Sequence, residues 1–257
     1  MSITIKTKEE IAILREGGKR LARILKALAK AVEPGISTQA LNDLAEKLVR
    51  EGGDTPSFLG YTPYGAKRPY PAALCVSIND EVVHGIPNET ERFLQEGDIV
   101  SLDMGLIHNE LVTDSAITVP VGKVDEKAEK LLSITKDALM CGIKAVRAGC
   151  TTGDIGFAIE SFVKPHGYGI VRELAGHGVG YAVHEEPYVP NYGRKGEGEV
   201  LKAGMVIAIE PMLNEGSAAV KLDKDGYTYR TRDGSRSAHF EHTVVVGENG
   251  AEILTQL

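Results

Sequence analysis

Several stretches of this chain recur in the same order, and that recurrence restricts the fold more than any other feature. AVEPGISTQALNDLAEKLVREGG from Ala31 lies over AVRAGCTTGDIGFAIESFVKPHG from Ala145, pairing Gly35/Gly149, Thr38/Thr152, Glu46/Glu160, Val49/Val163 and Gly53/Gly167. LQEGDIVSLD from Leu94 lies over LKAGMVIAIE from Leu201, and DSAITV from Asp114 over EHTVVV from Glu241. VVHGIP, ending at Pro87, matches AVHEEP, ending at Pro187. Matches kept in one order predict two α/β halves related by a pseudo-two-fold, about 7–122 and 123–254, within a single domain spanning 1–257. They set Asp103 opposite Glu210 and Asp114 opposite Glu241, so that acidic side chains face each other across one central site.

Local patterns supply the elements of each half. Helical spacing of Ile11, Leu14, Leu21, Ile24, Leu25, Leu28 and Val32 predicts a helix from about Thr7 to Val32, stopped by Pro34-Gly35. A second helix starts near Ser37 or Thr38 and ends at Gly52-Gly53; the later half shows a helix over about Asp125–Val146 and a shorter one to about Val163. Leu74–Ile78 and Val82–His84 read as a hairpin around Asn79-Asp80. IVSLDMGLIHNELVTDSAIT, Ile99 to Thr118, reads as a second hairpin with its tip at His108-Asn109-Glu110; its alternation has the period of strands, and it carries Asp103 and Asp114 into a buried site. Between helix and hairpins lies PSFLGYTPYGAKRPYPAA, a loop long enough to suggest a role of its own.

Charge and cysteine content narrow the function. A formal charge of -7 argues against a general nucleic-acid or anionic-membrane binder. The three cysteines, Cys75, Cys141 and Cys150, are widely spaced with no CxxC, which suggests neither a disulfide framework nor a thiolate zinc site. The amino terminus lacks an apolar export core, and no apolar run reaches the roughly 18 residues of a membrane span. The expectation is a reducing cytoplasm.

Two carboxylates carried into a buried hairpin repel unless protonated or neutralised, and a cation is the economical remedy. Asp103, Asp114, His177, Glu210 and Glu241 form a hard oxygen-and-nitrogen set suited to divalent manganese, iron, cobalt or zinc. Four negative charges match two divalent ions, a pairing that acidifies water and serves hydrolysis. In ELAGHGVGYAVHEEP, His177 lies among glycines that would let backbone approach an ion or substrate, and reads as a ligand. His184 reads as a substrate-facing donor, with His84 its counterpart in the echo. His108, His166, His239 and His242 are left as surface or supporting residues.

At this point the chain resembles a known family. SINDEVVHGIP, the LDMG run with Asp114 eleven residues after Asp103, GHGVGYAVHEEP, AIEPML and SAHFEHTVVV resemble the type I methionine aminopeptidases, in the bacterial short form without a zinc-finger extension. The resemblance runs from about Ile5 to Leu254. It implies the α+β pita-bread fold, a central curved antiparallel sheet flanked by helices. Asp114 and Glu241 would bridge both metals, Asp103 chelate one, and His177 and Glu210 bind the other. His84 and His184 would contact the scissile peptide, and Glu210 would shuttle the proton. Asn79 and Ser237 match positions that hold a monovalent cation, Na or K. Phe58, Tyr61, Tyr64, Cys75 and Tyr227 would line the methionine pocket. Two departures stand out: Phe58 replaces a commonly smaller Cys, and GAKRPYP lengthens the stretch between Tyr64 and Cys75. The implied activity is removal of the N-terminal methionine when the second residue is small, in a monomer meeting nascent polypeptides, at the ribosome, with no nucleic-acid specificity.

Other readings share the pattern. A prolidase or aminopeptidase P would keep the five ligands but usually carries a large amino-terminal domain. A type II methionine aminopeptidase would insert helices between His177 and Glu210, where there is no room. A binding module of the same fold would have lost ligands, whereas this chain keeps all five.

Overall fold

The structure, a computed structural model, describes residues 3–257. Four helices form where the pattern places them: α1 (Lys8–Ala31), α2 (Thr38–Glu51), α3 (Glu126–Ala145) and α4 (Thr152–Val163). Each begins on a side-chain cap that satisfies amide groups without an intrahelical partner: Thr7, Ser37, Asp125 and Thr151 accept from Glu10, Ala40, Ala128 and Asp154 respectively. Glu10 and Asp154 return the bond to their caps' own amides, closing capping boxes on the first helix of one half and the second of the other.

All strand pairings are antiparallel. Ile99–His108 and Leu111–Pro120 form the long hairpin, with Asp103 opposite Ala116 and Gly105 opposite Asp114. Its tip residues Asn109 and Glu110 take φ of 46° and 67°, the left-handed pair whose twist suits a tight hairpin. Cys75–Ile78 lies along the outer edge of Ile99–His108. In the second half, Ala251–Ile253, His242–Val246, Val206–Ile209, Gly176–Gly178 and Glu185–Val189 make a five-stranded sheet in that spatial order. Val100, Leu102, Met104 and Leu106 pack under Leu21, Leu25, Leu28 and Leu41 of α1 and α2. The matching layer sets Ile207, Ile209 and Val244 under Leu139, Ile143, Ile155 and Ile159 of α3 and α4.

Every residue from Ile99 to Leu106 is buried. Helices cover the apolar face, and the second half covers the polar one. That contact is hydrogen-bonded: Asp114 N–H donates to Thr243 Oγ1 (2.9 Å), whose hydroxyl donates to Asp114 O (2.7 Å). Ser115 Oγ donates to Glu241 O (2.8 Å), and Glu241 N–H to Ala116 O (2.9 Å). The two halves are therefore joined at the very residues the repeat sets opposite each other.

Candidate metal centre

A cavity of about 420 Å³ opens over this seam, and Asp103, Asp114, His177, Glu210, Glu241, His84 and His184 all border it. Asp114, His177 and Glu241 each offer a donor atom, all within 4.8 Å of one another. Glu210 Oε1 lies 3.5 Å from His177 Nε2, and its Oε2 lies 3.5 Å from His239 Nε2. Asp103 comes from the strand opposite Asp114 and completes the acidic cluster.

Burial, and then mutual repulsion, pushes Asp103 and Glu241 well above the usual carboxylate range; Asp114 and Glu210 are raised to about 8, burial being the first cause in each. Among the described residues no lysine or arginine pairs with any of the four. Asp114 Oδ1 and Glu241 Oε1 are buried without a hydrogen-bond partner, as are both ring nitrogens of His239. Orphaned buried acceptors are costly, and here they converge. The donor set fits divalent cations: they would neutralise the cluster and satisfy these oxygens together.

The imidazoles are held neutral. Burial, aided by neighbouring histidines, lowers His84 to about 4 and His177 to about 3, and burial lowers His184 as well. His177 Nδ1 lies 2.9 Å from Gly178 O, an acceptor only, so Nδ1 carries the proton and Nε2 presents a lone pair to the cluster. His184 Nδ1 meets Tyr61 OH at 2.8 Å, and its ring stands 4.4 Å from that of His177. The loop carrying His184 is pinned from behind by a buried ion pair. Glu185 accepts Lys6 Nζ (2.6 Å), Thr4 Oγ1 (2.5 Å) and the amides of Tyr181 and Ala182. The glycines around His177 serve this packing: a Cβ on Gly178 would stand 2.2 Å from Glu186 O. One on Gly180, at φ +142°, would stand 2.4 Å from Lys6 Cε.

The apolar wall needs a correction. Phe58, Tyr61, Tyr64, Cys75 and Tyr227 all border the cavity, but Tyr64 does so only at its mouth, where it is fully exposed. The wall position is filled by Tyr70, buried with its ring 5.2 Å from Tyr227 and its hydroxyl donating to Gly85 O (2.9 Å). Sequence reasoning missed Tyr70, which lies in the same proline-rich loop as Tyr64. His239, expected as a surface or supporting residue, is of the supporting kind, buried against Glu210. His242, half-buried next to Thr255, plays a supporting part, with Nδ1 2.9 Å from Thr255 Oγ1. Asn79 and Ser237 are neighbours through Ser237 N–H donating to Asn79 O (2.8 Å), while the Asn79 side chain bonds Asp98 and the Ile99 amide.

The raised carboxylates set a pH dependence for the metal-free protein. A carboxyl whose folded pKa exceeds its unfolded one, about 4, holds a proton that the unfolded chain releases, so its stabilisation fades as pH rises toward about 8. The lowered histidines act oppositely but only below about 6.5, where the unfolded chain gains protons. Between pH 6.5 and 8, therefore, the chelator-treated protein should lose about 1.4 kcal/mol per pH unit for each proton held, seen as a falling Tm. The metal-loaded protein should hold a flat Tm. A flat profile for the metal-free protein would mean that the carboxylates ionise unaided.

Comparison with known proteins follows the same lines. The description of metallopeptidase family M24 matches residues 12–248. A methionine aminopeptidase of Clostridium perfringens is 46% identical over 253 residues, covering 98% of each chain. Crystal structures of methionine aminopeptidases from Rickettsia prowazekii and Thermotoga maritima superpose with TM-scores of 0.93 and 0.93 at 40% and 41% identity, covering 99% and 100% of this chain and 100% of each of theirs.

Proposed function

Because the chain belongs to metallopeptidase family M24 and matches its methionine aminopeptidases end to end, we propose that Asp103, Asp114, His177, Glu210 and Glu241 hold two divalent cations. The fold is the pita-bread fold, and the activity is metal-dependent removal of an N-terminal methionine. The observation that carries the reading is four carboxylates, Asp103, Asp114 and Glu241 buried and Glu210 nearly so, with a lone-pair-presenting imidazole and, among the described residues, no cationic side chain paired to them, on the floor of an aromatic-walled cavity.

Bound there, the cations would supply an acidified water, a Lewis acid for the scissile carbonyl and an anchor for the substrate's free amine. The chain's own residues do the rest. Tyr61 O–H donating to His184 Nδ1 would leave Nε2–H as a donor toward the carbonyl oxygen, where negative charge develops. His84, held neutral, hydrogen-bonds the peptide nitrogen. Glu210 takes the proton lost by the attacking water and delivers it to the leaving amine. Phe58, Tyr61, Tyr70, Cys75 and Tyr227 exclude water and grip a thioether through dispersion and sulfur–ring contact.

Finer assignments rest on the ligand chemistry and on the resemblance. Manganese, iron, cobalt and zinc all suit this donor set. A sodium or potassium ion at Asn79 and Ser237 is supported by their adjacency. The chain acts as one catalytic domain, its halves about 7–122 and 123–254, supported by the helix-pair-and-sheet layer found in each. A reducing cytoplasm is supported by three unpaired cysteines; a monomer working on nascent chains at the ribosome rests on the resemblance alone. No helix among the described residues is long and apolar enough to cross a membrane.

The test is the second residue of the substrate. His84 and His184 crowd the place where its side chain must lie, so Met-Ala-Ser should be cleaved about 10- to 200-fold better than Met-Lys-Ser, the scale of steric pocket discrimination. Equal kcat/KM values would defeat the steric argument. Preference for Ala-Pro-Ser over both would move the chain to a proline-directed specificity.

A further inference from the structure

The segment 62–69 does nothing for the catalytic cluster, yet it is firmly held. Gly60 N–H donates to Tyr70 O (2.9 Å) and Tyr70 N–H to Tyr61 O (2.8 Å), tying the two ends of the excursion together. Arg68 then clasps it to the opposite bank of the cavity mouth. Its guanidinium pairs with both carboxylate oxygens of Glu89 and donates to Asp225 O (3.1 Å), while Tyr227 O–H donates to Arg68 O. The clasp thus spans from the excursion to the turn at 225–227. It leaves two large apolar side chains in water at one opening: Tyr64, fully exposed, and Leu222, 52% exposed, both bordering the cavity. Scattered exposed apolar residues need no explanation, but these two flank the way out of a reaction cavity.

We propose that Tyr64 and Leu222, held in place by the Arg68 clasp, form an outer subsite for the third or fourth residue of the substrate, selective for an apolar side chain. This rests on the reading that the substrate's amino terminus sits on the acidic floor. A polypeptide so anchored must leave through the mouth, and its residues beyond the second pass between these side chains. The occupant is therefore the substrate itself, continuous with the catalytic cavity. Pro63 and Ala66 on one side and Tyr229 on the other extend the apolar surface.

The experiment compares kcat/KM for Met-Ala-Phe-Leu and Met-Ala-Ser-Ser in the metal-loaded wild type, Tyr64→Ser, Tyr64→Phe and Arg68→Ala. The wild type should prefer the apolar peptide by roughly 3- to 10-fold, the scale of partly burying one apolar side chain, and the difference should lie in KM. Tyr64→Ser and Arg68→Ala should each bring the ratio near one; Tyr64→Phe should keep it. Tyr64 is exposed and outside the core, so these variants fold. A wild-type ratio of one, or a ratio unmoved by Tyr64→Ser, overturns the subsite while cleavage of Met-Ala-Ser-Ser still upholds the catalytic reading. Failure of the wild type to cleave either peptide overturns both.

Discussion

Asp114→Asn is expected to lower kcat/KM at least about 10³-fold and to remove most bound metal, while raising the Tm of the metal-free protein. Loss of metal forfeits several kcal/mol of charge stabilisation in the transition state, and each 1.36 kcal/mol is a factor of ten. The stability change runs the other way. Asp114 is buried, has an oxygen without a partner and is repelled by Glu210, so an amide of the same shape relieves a penalty that the carboxylate imposes when no cation is bound. Glu241→Gln should behave alike, since its Oε1 is equally unpartnered. Metal content by elemental analysis, cleavage of Met-Ala-Ser and melting of the chelated protein at pH 8 give three independent readouts. Retention of both metals with full activity would reject the centre. A drop in metal-free Tm would instead make Asp114 a structural hydrogen-bond acceptor.

His184→Ala should lower kcat by about 10²-fold, the typical loss for one donor to a developing oxyanion, and leave metal content unchanged. The two histidines stand 4.4 Å apart, but only the His177 side chain lies with Asp114 and Glu241 in the compact donor group. Substitution at His177 should therefore cost metal, and substitution at His184 should cost rate. If His184→Ala lost its metal, the division between the two would fail. Because Glu185 and Lys6 pin the loop from the side away from the cavity, removal of the His184 ring should leave the loop path intact, which a crystal structure of the variant would check.

Much of this architecture is legible in the residues alone. Helix limits follow from caps and stops, as with Thr7 before α1 and Pro34-Gly35 after it. The acidic positions follow from the repeat, because a fold built twice from one plan must bring equivalent strand ends together at its axis. Three features stayed hidden for a shared reason, that they depend on contacts distant in sequence. What covers the polar face of the hairpin was hidden, because nothing local reveals that Thr118 and Ser115 bond His239 O and Glu241 O. His239 looked ordinary because only folding sets it against Glu210. Tyr64 and Tyr70 are both tyrosines of one proline-rich loop, and composition cannot say which turns inward. The ties from Gly60 and Tyr61 to Tyr70 decide it.

The hydrogen-bonded seam has a consequence for how activity arises during the protein's own synthesis. Asp103 and Asp114 are made early, but their partners at Glu210 and Glu241 are made only after the chain has passed its midpoint, and the amides and hydroxyls that close the seam are shared between the two. A first half emerging alone would carry two carboxylates with neither a counter-charge nor the Thr243 hydroxyl, a poor trap for a divalent ion. On the proposed ligand assignment, metal capture would be a late event, tied to docking of the second half, and a chain cut short before Glu241 is expected to bind no metal pair however well its first helices had folded.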